Sequence, residues 1–177
     1  MVEKIKNNLS LLAVIFGFFA VLTIFFPALS VDVEEAAGVS GAFASDGFVV
    51  GVSGWGSCFG WEVAEEEAFE FSFMASLAYA APAIAVVLLF VAENKQDKKY
   101  VQYAFVAFAV GALLLFLMPS LVQYADKAIK EEIEDVFELG IGAIFGAISC
   151  IVSALCILAD LQNKEQRQQV SQEMQQI

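Results

Sequence analysis

Three groups of side chains in this 177-residue chain have types from which binding or catalytic chemistry is built. The first is a run of carboxylates, Glu62, Glu65, Glu66, Glu67 and Glu70. Hard cations such as calcium take carboxylate oxygens, so such a run is one way to build a calcium site. It lacks an ordered Asp, Asn and Gly ligand pattern, and like charges this close repel one another, which favours a solvated acidic face. The second is Cys58, which stands apart from Cys150 and Cys156. An unpaired cysteine outside a membrane forms an intermolecular disulfide or stays a buried thiol, and the neighbours Trp55, Phe59 and Trp61 favour the thiol. The third is Ser149, Cys150 and Ser153, which offer nucleophilic atoms. A hydroxyl or thiol nucleophile needs a base beside it. The chain contains no histidine, the usual base at neutral pH and the commonest metal ligand. No enzyme activity, cofactor or metal centre is therefore expected.

The elements that would position these groups are dominated by four stretches without Asp, Glu, Lys or Arg, residues 7–31, 71–92, 100–125 and 139–159, each longer than 20 residues. About 20 mainly apolar residues carry a helix across a bilayer core of roughly 30 Å. Backbone in lipid must satisfy its own hydrogen bonds, so each stretch is read as a helix. The fold class predicted is an all-α membrane protein. It is a four-transmembrane-helix bundle with a small extracellular antiparallel β-sheet supplied by the first outer loop. The spans are placed at about 8–31, 71–92, 100–124 and 139–160, with outer loops at 32–70 and 120–138. Together they form a membrane domain over 1–161, followed by a cytoplasmic Gln-rich tail over 162–177. Lys4 and Lys6 before the first run, and Ala28-Leu29-Ser30 after it, have the outline of a signal peptide. The run exceeds the usual apolar core of about 7–15 residues, so an uncleaved first helix is expected.

Lys and Arg in short loops set orientation. Lys4, Lys6, Lys95, Lys98, Lys99, Lys164 and Arg167 are seven of the nine basic residues and fall on one side. Both termini are therefore expected in the cytoplasm of a multi-pass plasma-membrane protein. The net charge of −12 argues against a nucleic-acid partner, which needs clustered Lys and Arg.

Within the spans, Pro82 is expected to kink its helix, giving either a hinge or a tolerated bend. Gly142 and Gly146 form a small-xxx-small pair that lets helices approach closely, inside the bundle or against another subunit. No ionisable side chain lies mid-span, which counts against a proton-coupled transporter. In the first outer loop, Asp46-Gly47 between β-prone runs signals a hairpin. Residues 59–63 and 68–73 alternate with period two, as strands do. Trp55 and Trp61 suit the headgroup level. In the second outer loop, Leu121, Ala125, Ile129, Ile133 and Phe137 recur every four residues, which predicts a helix. Ile129, Ile133 and Phe137 would cover the sheet or meet a partner. In the tail, Val170, Met174 and Ile177 have helical spacing, which leaves a short helix or disorder.

Four spans, cytoplasmic termini, a long β-rich first outer loop and Trp55-Gly56-Ser57-Cys58 resemble the claudin and peripheral-myelin-protein group of tetraspan membrane proteins. The four residues are similar to part of that group's Gly-Leu-Trp-x-x-Cys signature. Gly54-Trp55 stands where Gly-Leu-Trp would be. The loop's second cysteine and early tryptophan are absent, which removes the family disulfide. The chain also resembles small four-span proteins of bacteria, which imply no activity.

The function expected is that of a non-enzymatic integral membrane protein acting through protein–protein contacts. It would be a structural, adhesion-like or accessory subunit that self-associates or binds another membrane protein within the lipid bilayer. Gly142, Gly146, Trp55, Trp61, Cys58, Ile129, Ile133 and Phe137 are the candidate interaction residues. The alternative is a channel or transport subunit whose acidic outer vestibule attracts cations.

Overall fold

The computed structural model describes residues 8–31, 51–63, 66–95, 97–125, 130 and 137–175. In chain order the elements are α1 (Leu9–Leu22), a 3-10 turn (Thr23–Phe25), β1 (Pro27–Val31), β2 (Gly51–Ser53), α2 (Gly54–Phe59), β3 (Trp61–Val63), β4 (Glu66–Glu70), α3 (Phe73–Lys95), α4 (Lys98–Phe116), α5 (Met118–Leu121), β5 (Gln123–Tyr124), β6 (Phe137–Leu139) and α6 (Ile141–Gln175). The described residues are mostly helical. Among the described residues, three helices are long and apolar enough to cross a membrane: Phe73–Lys95, Lys98–Phe116 and the Ile141–Asn163 part of α6.

The first charge-free run differs from the expected span over 8–31. It is a 14-residue helix extended by one three-residue 3-10 turn. That places it at the short end of the roughly 17–25 residues that cross a bilayer. Pro27 explains the early stop. It has no N–H to continue the ladder, and its ring drives the preceding residue out of the helical region. Phe26 is accordingly extended, with φ −95° and ψ 161°. The following residues form β1 instead of a last helical turn.

The other two prolines also mark structure. Pro119 stands in α5, just after α4 ends at Phe116 and one turn intervenes. Pro82 lies inside α3 and is buried, with its ring against Gly111 of α4. A methyl group at Gly111 would come within 2.9 Å of the Pro82 ring.

Each long helix packs on two neighbours, α1 on α3 and α6, and α4 on α3 and α6. Small residues allow the close approach. Ala13, Gly17 and Ala20 line the buried stripe of α1. Phe108 of α4, fully buried, fills the centre against Gly17 and Val86. The second seam joins α6 to the end of α1. A methyl at Gly142 would come within 2.7 Å of the Pro27 carbonyl oxygen, and one at Gly146 within 2.5 Å of the Thr23 hydroxyl. Thr23 turns that hydroxyl back on its own helix, donating to the Ala20 carbonyl at 2.7 Å.

The sheet expected from the first outer loop alone is instead two three-stranded antiparallel sheets, ordered β2-β1-β6 and β3-β4-β5. Among the described residues, β2, β3 and β4 come from that loop. The continuation of the first helix supplies β1, and the second loop supplies β5 and β6. All strands gather at one end of the bundle, where α1, α4 and the starts of α3 and α6 meet. The opposite end is a tight link between α3 and α4. There Asp97 caps α4 by accepting from the Lys99 N–H at 3.0 Å. Lys95 donates to the Tyr100 hydroxyl at 3.3 Å and lies 5.2 Å from its ring centre.

Past Leu161 the last helix runs without a break to Gln175. Its 35 residues span about 52 Å at 1.5 Å per residue, well beyond one bilayer. The Asp46-Gly47 hairpin lies outside the described residues.

Candidate functional site

The most distinctive local structure is the six-residue helix α2, set between β2 and β3 at the sheet end. Its borders are written in the sequence. Ser53 is the N-cap, accepting from the Gly56 N–H at 3.2 Å, and Ser57 donates its hydroxyl to the Ser53 carbonyl at 3.1 Å. Gly60 closes the helix with φ +108°, a conformation that L side chains rarely adopt. Two long-range bonds fix the unit to the bundle. The Gly54 N–H donates to the Phe26 carbonyl at 3.0 Å, and the Ser72 N–H to the Cys58 carbonyl at 3.0 Å.

Ser72 is the node of this region. Its hydroxyl accepts from the Ala75 N–H at 3.2 Å, capping α3, and donates to the Leu121 carbonyl at 2.6 Å. One buried serine thus ties α2, α3 and α5 together. A serine just before an apolar run is the N-cap signature that could have found it in the sequence.

On its outer side α2 presents an aromatic cluster. The Trp55 and Phe59 rings lie 4.3 Å apart between centres, and Phe59 and Phe71 lie 6.1 Å apart. All three are about half exposed, at 54%, 49% and 53%. Glu70, next to Phe71, is exposed and accepts from the Gln123 amide at 3.4 Å. The arrangement is an aromatic centre with a polar edge on a pinned backbone.

On its inner side α2 buries Cys58 completely, beside Ser76 and near the Tyr79 hydroxyl. Burial pushes the Cys58 thiol up to about 11 from its ordinary 9.0, and the Ser76 hydroxyl offsets only part of this. The group is a protonated thiol at neutral pH, not a thiolate nucleophile. The Tyr79 hydroxyl is buried and has no hydrogen-bond partner among the described residues. It packs directly on the α-carbon of Gly54, where no side chain fits.

The residues singled out in the sequence do not form one site. Trp55 is on the exposed face of α2 and Cys58 on its buried face. Trp61 stands in β3 opposite Phe69 in register. Gly142 and Gly146 face Phe26, Pro27 and Thr23 of the same chain, so their small-residue face is occupied within the bundle. Ile129 and Ile133 lie outside the described residues. Phe137, expected on a covering helix, is instead in β6. It pairs with Val31 and is buried edge-on to Phe69, with centres 5.2 Å apart. The strand wins over the four-residue apolar repeat because pairing with β1 satisfies its backbone groups. Phe59 and Phe71, which complete the exposed cluster, fall in runs whose period-two alternation predicts strands, but Phe59 closes α2 and Phe71 follows the end of β4. Of the acidic run, Glu70 alone has a described side chain, and no metal-sized group of acidic, His and Cys residues converges among the described residues.

No protein-family model, no curated protein and no solved structure matches this chain.

Proposed function

We propose that this chain is a non-enzymatic four-span membrane protein that acts through protein–protein contacts, as a structural, adhesion-like or accessory subunit. The observation that carries the reading is the exposed Trp55, Phe59 and Phe71 cluster on a pinned helix. Contact surfaces are enriched in rigid aromatics at their centre with polar groups around them, and truncating a central Trp commonly costs most of the binding energy. Pinning by Ser53, Gly60 and Ser72 lowers the entropy cost of ordering such a patch on binding. The proposed location is the plasma membrane, with Lys95, Lys98 and Lys99 on the cytoplasmic side and the α2 face outside, following the charge asymmetry. The partner is a second copy or another membrane protein.

A tetraspan relation of the claudin kind fits four spans with β-structure at one end, and rests on topology. The channel alternative gains no support from the spans. The buried hydroxyls of Thr23 and Ser153 donate to carbonyls of their own helices, at 2.7 and 2.9 Å, and the unpartnered hydroxyls of Ser76 and Tyr79 lie together near the start of α3 rather than along its length.

Site-specific photocrosslinking tests the contact reading. A photoreactive residue replacing Trp55, in cells, is expected to give a discrete protein adduct. One replacing Leu155, exposed on α6 away from the site, is expected to label lipid. Lipid adducts at both positions would make the cluster a membrane anchor and overturn the contact role.

A further inference from the structure

Between α1 and α6, near the sheet end, lies a slot of about 330 Å³ lined by Phe19, Thr23, Phe26, Ile141, Gly142 and Phe145. Two features already described shape it. Gly142 lets α6 close directly on the Phe26–Pro27 backbone, and Phe26 leaves the helical path ahead of Pro27. Phe19 and Phe26 then form one wall, Ile141 and Phe145 the other.

The chemistry of the slot selects its occupant. Thr23 is the sole lining side chain with a polar atom, and its hydroxyl is committed to the Ala20 carbonyl at 2.7 Å. No side-chain donor is left for a polar ligand, and the one remaining acceptor, the Thr23 oxygen, is on a residue only 2% exposed. A polar group placed there would lose its hydrogen bonds to water without replacement, at a cost of roughly 1–3 kcal/mol. Phe19, Phe26, Ile141 and Phe145 are themselves half exposed, and the slot is continuous with the apolar outer faces of α1 and α6. Its volume is at the low end of the roughly 300–1,000 Å³ of ligand pockets, room for a stretch of hydrocarbon and not for a headgroup.

We propose that this slot holds one acyl chain of a membrane phospholipid from the leaflet at the sheet end. The proposal rests on the membrane reading above and adds a specific lipid site to it. Retention comes from close dispersion contact with the four side chains of the two walls, because burial from water offers nothing to a chain already in lipid.

The test is native mass spectrometry of the full chain, extracted from membranes in mild detergent and washed until annular lipid is gone. Wild type is expected to keep about one phospholipid per chain. Phe145→Ala removes a wall and Ile141→Trp narrows the slot; both sites are exposed, so folding is spared. Each is expected to lower occupancy about fivefold, while Leu155→Ala, away from the slot, leaves it unchanged. A membrane-integrated wild type without retained lipid, equal retention in all variants, or a dimer whose interface fills the slot would each overturn the site. Recovery of wild type in the alkali-soluble fraction would overturn the membrane reading as well.

Discussion

Phe69 and Phe71 are two residues apart and end in opposite surroundings. Phe69 is 1% exposed, with its ring 5.3 Å from Tyr124 and 5.2 Å from Phe137. Phe71 is 53% exposed beside Phe59 and Trp55. Period-two alternation alone would put both on one face of a strand. The strand ends at Glu70, however, and the Ser72 cap starts a helix, so the chain turns between the two rings. Phe69 joins the two sheets, since Phe137 belongs to one and Tyr124 to the other. The inner cluster holds the sheet end together, and the outer cluster is free to touch something else. The same residue type thus serves stability or recognition according to where a three-residue junction places it.

The comparison can be broken most severely from the inside. Phe69→Ala should destabilise the protein by about 3–5 kcal/mol, the usual cost of a large aromatic cavity, read as a lower unfolding midpoint in detergent. Phe71→Ala should change that midpoint by less than about 0.5 kcal/mol. Equal effects would mean that the two clusters are one core.

A second perturbation sits at the α1–α6 seam. Gly146→Leu would force a side chain onto the Thr23 hydroxyl and toward Leu115. It should cost about 1–3 kcal/mol by overpacking and loosen α1, measured by faster proteolysis of that helix. A variant with normal stability but a smaller oligomer would return Gly146 to an interface between subunits.

The mildest test is pH. Burial holds the folded Cys58 thiol protonated up to about 11, whereas the unfolded thiol ionises near 9.0. The raised folded value means that this contribution is complete below about 9.0 and is lost as pH rises toward 11. Wild type should therefore lose stability relative to Cys58→Ser across that window. Parallel curves for the two proteins would show that Cys58 is not buried in the folded state.

Much of this was legible in the sequence. The three long helices follow from charge-free runs whose length matches a bilayer. Pro27 is visible, but a count of apolar residues does not register a break, so the span expected to residue 31 overshoots the helical segment, which ends at Phe25. The helix α2 was obscured because Phe59-Gly60-Trp61 begins an alternating pattern, although Ser53 and Gly60 mark its ends. Pairing of β1 with β6 joins segments more than a hundred residues apart, and local pattern carries no trace of such register. Exposure of Trp55 and burial of Cys58 depend on which face of a six-residue helix meets α3, which spacing alone leaves open.

The Trp55, Phe59 and Phe71 face is the proposed contact surface. The most direct measurement is the mass of the complex extracted from its native membrane in mild detergent, for wild type and for Trp55→Ala/Phe59→Ala. A defined wild-type assembly that falls to a monomer in the variant, at unchanged unfolding midpoint, is the predicted result. The same mass for both proteins would contradict it.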